Sequence, residues 1–230
     1  METIADFAQI RGIAYPLLSD HGSAFIRQLG IFNDTVAADS RSYGIPYPGT
    51  YVIGVDGRVA SKSFHESNYV RDAAVTLLRE QLGIDRIGGP VVEAQDSVLA
   101  VRATLDSGTF VKQKRIGWRV RVALPDGFHI YGEPISDGLI PTTLTVSVPE
   151  GVVVEGPWFP QFEQMTFSYL DQPVPVISGT FDIAGALVFQ DIREDVTIHV
   201  ELHYQACTDT ECFAPSSLQF EIPVTYEAFA

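Results

Sequence analysis

The feature that most constrains this chain is a change of period. In the second half apolar and polar residues alternate: "GWRVRVALP" sets Trp118, Val120, Val122 and Leu124 against Arg119 and Arg121, and "TTLTVSVP" sets Leu144, Val146 and Val148 against Thr and Ser. A period of two gives a strand one face for a core and one for water. Further runs of this kind, "VTIHVELHYQA" and "SSLQFEIPV", are separated by Gly, Pro and Asp punctuation. Short alternating strands with frequent turns predict an antiparallel β-sandwich of immunoglobulin-like size. The Cys...Trp...Cys spacing of antibody domains is missing, because the 2 cysteines sit together at 207 and 212.

The first half is built differently. "IAYPLLSD" reads as a short strand, and "DHGSAFIRQLGI" places Ala24, Phe25, Ile26 and Leu29 on one helical face. "TYVIGVDGRVASKSF" is two extended runs joined by Asp56-Gly57, a hairpin signal. "NYVRDAAVTLLREQLG" spaces Val70, Ala73, Ala74, Leu77, Leu78 and Leu82 as an amphipathic helix closed by Gly83. The Gly-Gly-Pro of "GIDRIGGPVVEAQD" then marks a boundary, giving a first domain at 1–82, a linker at 83–95 and the sandwich at 96–230.

Charge divides at the same place. Residues 1–88 carry ten acids and eight bases, and residues 89–230 carry nineteen acids and seven bases. A net charge of -14 argues against nucleic acid or an anionic membrane as partner, since both require a basic surface. No apolar run approaches the ~20 residues of a membrane helix. The opening "METIADFAQIRGIAYPLL" has early acids, no basic start and no small-residue cleavage site, so it does not read as a signal peptide. The expectation is a soluble chain of unmarked compartment.

Part of the first half is similar to a known family. The strand, helix, hairpin and closing helix, with "YGIPYPGTYVIGVDGRV" entering the hairpin, resemble the C-terminal part of a thioredoxin-like peroxiredoxin domain of the alkyl hydroperoxide reductase group, over about residues 4–82. The resemblance implies a cis-proline before the Thr-aromatic strand. Pro48, ahead of Thr50 and Tyr51, matches it, with Pro46 as the competitor. The family's reactive cysteine has no counterpart here, because the first cysteine is Cys207. No peroxidase activity is expected of the chain: this half reads either as a fragment of that fold or as a domain that has lost its chemistry, and the fragment is favoured because a half-fold missing central strands leaves apolar edges uncovered.

The stretch "YQACTDTECFAP", followed by "SSLQFEIPV" and preceded upstream by "DGFHIYGEPISDGLIPTTLTVSVPEG", resembles the periplasmic N-terminal domain of the thiol:disulfide interchange protein DsbD, over about residues 96–226. The resemblance implies that Cys207 and Cys212 cycle between disulfide and dithiol. Their partners would be a membrane-embedded electron-donor domain and thioredoxin-fold proteins outside the cytoplasm; a cytoplasmic location is the alternative. No cofactor is implied. Tyr131 matches a family aromatic beside the disulfide, and His129 stands in the place of another. A loop that caps the cysteines would fall near "EGPWFPQFEQ", with Trp158 and Phe159 as its hydrophobic cover. Of the two sulfurs, the resemblance favours Cys212 as the attacking one. The expected fold class is thus α/β plus all-β, a partial thioredoxin-like α/β domain followed by the sandwich.

The residues bear on the pair independently. In "HVELHYQAC" Val200, Leu202, Tyr204 and Ala206 form the apolar set, so Cys207 falls on the polar side, where a thiol is expected to be reachable. The turn Thr208-Asp209-Thr210-Glu211 returns the chain and brings Cys212 within disulfide reach. Asp209 and Glu211 read as solvated turn residues and not as an acid-base pair. The acids around the pair, together with shielding, are expected to disfavour the thiolate. A static disulfide or two unrelated thiols remain open readings. A metal site using His199, His203 and the cysteines does not fit: on a strand His203 and Cys207 stand about 13 Å apart, whereas zinc holds its ligands at about 2.0–2.3 Å. A rival from another class is a protein-binding sandwich whose disulfide only stiffens a loop.

Overall fold

The computed structural model describes residues 3–65, 69–85, 88–135, 138–167, 170 and 172–228. The chain divides into two compact units, Met1–Asn68 and Tyr69–Ala230. Among the described residues no helix is long and apolar enough to cross a membrane.

The first unit contains α1 (Ile4–Ile10), α2 (Ala24–Gln28), β1 (Gly49–Ile53) and β2 (Val59–Phe64). Thr3 and Asp6 form a reciprocal capping box at the start of α1. Asp20 accepts hydrogen bonds from the Phe25 and Ile26 amides, which opens α2. The expected hairpin is present, with β1 and β2 antiparallel and Gly57 of its turn at φ 75°. "IAYPLLSD", read above as a strand, has no regular structure, and among the described residues no strand pairs with it to satisfy its backbone. Among residues 3–65 the one buried side chain is that of Asn33, which binds the Ser42 carbonyl and accepts from Thr35 and Tyr47. The thioredoxin-like layer arrangement is not shown by these elements.

Pro48 is not a cis-proline. The cis peptide bonds among the described residues are Glu133-Pro134 and Gly156-Pro157. An X-Pro bond favours trans by about 0.5–1 kcal/mol unless packing opposes it, and Pro48 leads into a two-stranded ribbon whose first strand, β1, has no fully buried residue.

The second unit runs β3 (Arg71–Asp72), α3 (Ala74–Leu82), β4 (Val91–Gln95), β5 (Ala100–Leu105), β6 (Thr109–Phe110), β7 (Lys114–Ala123), β8 (His129–Tyr131), β9 (Thr143–Ser147), β10 (Val152–Trp158), β11 (Glu163–Met165), β12 (Val174–Ser178), β13 (Thr180–Phe189), β14 (Val196–Tyr204), β15 (Ala206–Cys207) and β16 (Ser216–Tyr226). One sheet is ordered β10-β13-β7-β5-β4, with β3 parallel to β7; a second is ordered β6-β16-β14-β9. Their inner faces share one core, in which Ile116, Val120 and Ile183 meet Ile198, Leu202 and Ile222. This is a β-sandwich, as the alternation requires. On β14 the set Val200, Leu202 and Tyr204 is buried, while His199 pairs outward with Glu221 and His203 with Ser217.

The region expected to be a helix of the first domain and a linker belongs to this second unit. β4 lies within the span read as linker and pairs antiparallel with β5; Arg86 and Ile87 of that span lie outside the described residues. The helix α3 does end at Gly83, with φ 64°. Polar contacts tie it to β7: the Gly117 amide donates to buried Thr76 Oγ1 at 3.0 Å, and Arg115 joins Asp72, Glu80 and Glu155. Arg79 meets Asp106 at 2.9 Å across the space that a Cβ on Gly117 would occupy. Leu82, counted above in the apolar face, is 50% exposed. Hydrophobic spacing identified the helix but not what holds it.

Candidate functional site

A third sheet, ordered β11-β12-β8-β15, carries the cysteines. The chain leaves the second sheet after Tyr204, passes Gln205, and enters this sheet at Ala206. Four hydrogen bonds fix the crossing. Tyr204 and Ser216 both donate their hydroxyl protons to Asp96 Oδ2, and the Gln205 amide accepts from Ile140 N–H at 3.0 Å while donating to the Phe213 carbonyl at 3.1 Å. Burial alone would raise the Asp96 pKa, but hydrogen bonds from Tyr204, the Leu99 and Val98 amides and Ser216 outweigh it and hold the carboxyl below its ordinary value.

Within the third sheet, β15 pairs with β8 so that Ala206 faces Ile130 and Cys207 faces His129. Both strands alternate. Ile130 and Ala206 point into the sandwich core, whereas Tyr131 and Cys207 point the other way, into a smaller cluster with Phe167, Val174 and Val176. The sequence placed Cys207 on the face opposite Ala206, and that is where it lies. The expectation that its thiol is reachable fails: Cys207 is 0% exposed, because this second cluster covers the face that parity alone assigned to water. Cys212 is exposed.

The two cysteines form a disulfide with a Cα–Cα distance of 4.0 Å. They are an antiparallel bridge pair, flanked by Thr208 N–H to the Glu211 carbonyl at 2.8 Å and Phe213 N–H to the Ala206 carbonyl at 2.9 Å. Those bonds surround the pair without joining it, so Cys207 and Cys212 hold the non-hydrogen-bonded position, where opposed side chains approach most closely. Thr208 Oγ1 also accepts from the Thr210 and Glu211 amides, which closes the turn.

Two side chains from β8 complete the site. Tyr131 is 0% exposed, and its hydroxyl lies 3.8 Å from Cys212 Sγ. The same hydroxyl lies 3.1 Å from Nε2 of His129. The His129 ring stacks on Phe167 at 4.6 Å between centroids and meets Tyr131 edge-on. Burial pushes the His129 pKa down, and the Asp209 carboxylate only partly opposes this, so the ring is neutral at pH 7.

The structure thus brings together Cys207, Cys212, His129 and Tyr131. It does not bring Trp158 or Phe159 to them. Trp158 sits on β10 opposite Ala184 and is 49% exposed; Phe159 packs on the sandwich core beside Phe162. The aromatic that covers the site is Phe167, further along the same segment, which returns as β11 beside β12 before reaching the cysteines. Sequence reading missed Phe167 and Gln205. Phe167 carries no local signal, since several aromatics in this segment serve the cap reading equally well, whereas Gln205 adjoins the quoted cysteine segment and was available.

No family model and no curated protein sequence matches the chain. Among solved structures, the N-terminal periplasmic domain of ScsB from Proteus mirabilis is similar at 10% identity and a TM-score of 0.40, covering 61% of this chain and 52% of that one. The chain therefore spans about half the length of that structure. The N-terminal domain of DsbD from Neisseria meningitidis, in its reduced form, is similar at 17% identity and a TM-score of 0.32, over 47% of this chain and 78% of that one. The GAE domain of GGA2p from Saccharomyces cerevisiae is similar at 10% identity and a TM-score of 0.35, over 58% of this chain and 98% of that one.

Proposed function

We propose that the second unit is a thiol:disulfide exchange domain in which Cys207 and Cys212 carry reducing equivalents. The observation that carries this is the asymmetry of the bond: one end lies on an exposed residue at a turn and the other is 0% exposed beneath aromatic cover. A partner's thiolate has one sulfur to approach, Cys212. Attack there forms a mixed disulfide and releases Cys207 as the leaving thiolate; the partner's second thiol then resolves the mixed disulfide, leaving the pair reduced. The reverse sequence returns the electrons.

The partner class comes from the resemblance of the Tyr-Gln-Ala-Cys segment: thioredoxin-fold proteins or a membrane-held donor domain, in an extracytoplasmic compartment. The chemistry needs no cofactor. One observation favours a second reading, a binding module with a structural disulfide: Cys207 lies wholly within a packed cluster. Thiol trapping across graded redox potentials separates the two. A working pair is reduced reversibly at a potential less negative than about -300 mV; a pair that resists reduction well below that potential is a staple.

A further inference from the structure

The Tyr131 hydroxyl stands between a sulfur and an imidazole. It is 3.8 Å from Cys212 Sγ on one side and 3.1 Å from His129 Nε2 on the other. His129 and Tyr131 are two residues apart on β8 and so share a face. The imidazole is held rigidly, stacked on Phe167 with an interplanar angle of 18°. A phenylalanine would fill that stack equally well. What histidine adds is a ring nitrogen aimed at the Tyr131 hydroxyl, which lies against the sulfur of the exposed cysteine.

We propose, resting on the exchange reading above, that Tyr131 and His129 form a proton relay for Cys212, with Tyr131 touching the reacting sulfur and His129 acting through it. In the reduced protein the Cys212 S–H proton passes to the Tyr131 oxygen as the Tyr131 proton passes to His129 Nε2. The resulting thiolate attacks one sulfur of a partner's disulfide, whose S–S bond breaks, and the other partner sulfur leaves as a thiolate. The Cys207 thiol then loses its proton and attacks Cys212 Sγ. The mixed disulfide breaks and the second partner thiolate departs. Two electrons reach the partner, the Cys207–Cys212 bond re-forms, and the two protons, one of them from the imidazolium, end on the partner's thiolates. The partner's disulfide is the only oxidant.

The relay needs an imidazole that is unprotonated at neutral pH, and burial supplies it. The groups facing it among the described residues are few. Asp209 acts on it from the turn, Glu211 adjoins Cys212 in that turn, Cys207 lies opposite on β15, and Tyr131 lies beside it. Phe167 and, from β12, Val174 and Val176 contribute only apolar surface.

The test is the rate of reaction with 4,4′-dithiodipyridine, a small disulfide, from pH 5 to 9 in a Cys207→Ser background where Cys212 is the only thiol. The relay gives a plateau across neutral pH, bounded below by an inflection under 6.5 from His129 and above by the thiol's own ionisation. Tyr131→Phe and His129→Gln should each slow the reaction at pH 7 by at least about tenfold and remove the plateau. Their combination should cost no more than either alone. If His129→Gln loses its near-UV circular dichroism, His129→Phe, which keeps the stack, replaces it. Native-like variants with unchanged rates and profiles overturn the relay. Thiol trapping of the intact pair reports separately on the exchange reading: reversible titration beside unchanged profiles leaves the carrier and removes the relay, and a pair that cannot be reduced removes both.

Discussion

Reducing the Cys207–Cys212 bond should weaken the second unit only slightly and leave it folded. The cysteines are 5 positions apart, and a ring that small restricts the unfolded chain by about 2 kcal/mol at 25 °C, against about 4.7 kcal/mol for a 100-residue loop. Little else depends on the bond. The hydrogen bonds Thr208 to Glu211 and Phe213 to Ala206 hold the turn without it, and the sandwich core lies on the other face of β8 and β15. A domain of this size shifts by about 2–4 °C per kcal/mol, so the melting temperature should fall by about 4–8 °C. The assay is urea unfolding followed by far-UV circular dichroism, with and without dithiothreitol. Reduction keeps the packing of Cys207 intact, which substitution would not. The midpoint should fall while the slope stays unchanged, because the surface exposed on unfolding is the same. A reduced protein with no cooperative transition, or a loss above about 5 kcal/mol, would refute the reasoning and make the disulfide a staple.

Acid should destabilise the fold through His129. Its native pKa is held below the unfolded value of 6.5, so the unfolded chain takes the proton first; the stability due to the neutral ring is present above 6.5 and is lost as pH falls below it. His129→Phe should therefore flatten the urea midpoint between pH 7 and 5, and an equal slope in variant and parent would count against a buried neutral ring. Thr76→Val strands the buried Gly117 amide and should cost about 1–3 kcal/mol, with Thr76→Ser recovering most of it in the same melt. Phe167→Ala should speed iodoacetamide labelling of Cys207 in the reduced protein while Trp158→Ala leaves it unchanged, as read by mass spectrometry of the labelled peptides. The opposite pattern would restore Trp158 as the cover.

What the sequence revealed and what it hid separate by range. Alternation in "HVELHYQA" and "GWRVRVALP" located the strands and the faces of the sandwich, because strand parity is a local property. His129 and Tyr131 were linked to the cysteines only by the resemblance of "FHIYGE" to a family segment, and not by parity; it is the pairing of β8 with β15 that sets them on the face of Cys207. Parity says which face a residue takes, not what covers that face; the burial of Cys207 depends on Phe167, Val174 and Val176 arriving from far along the chain. The unit boundary was misplaced for a related reason. The helix at 74–82 is joined to its neighbour by Thr76, Arg79 and Glu80, which a count of apolar positions passes over. In the first half, strand and helix signals were read without a core to assemble them, and among residues 3–65 the structure buries only Asn33.

The flanking hydrogen bonds around the cysteine pair bear on how long any covalent complex can live. If the turn persists after reduction, Cys207 stays opposite Cys212 and need not search for it. Well-oriented intramolecular reactions reach effective molarities of about 10⁵–10⁸ M, far above any concentration a second molecule can supply. A partner captured on Cys212 would be displaced by Cys207 almost as soon as it was bound. Covalent capture would then be a passing event in the native chain, and isolating a captured partner would require Cys207→Ser, in which the displacing sulfur is gone.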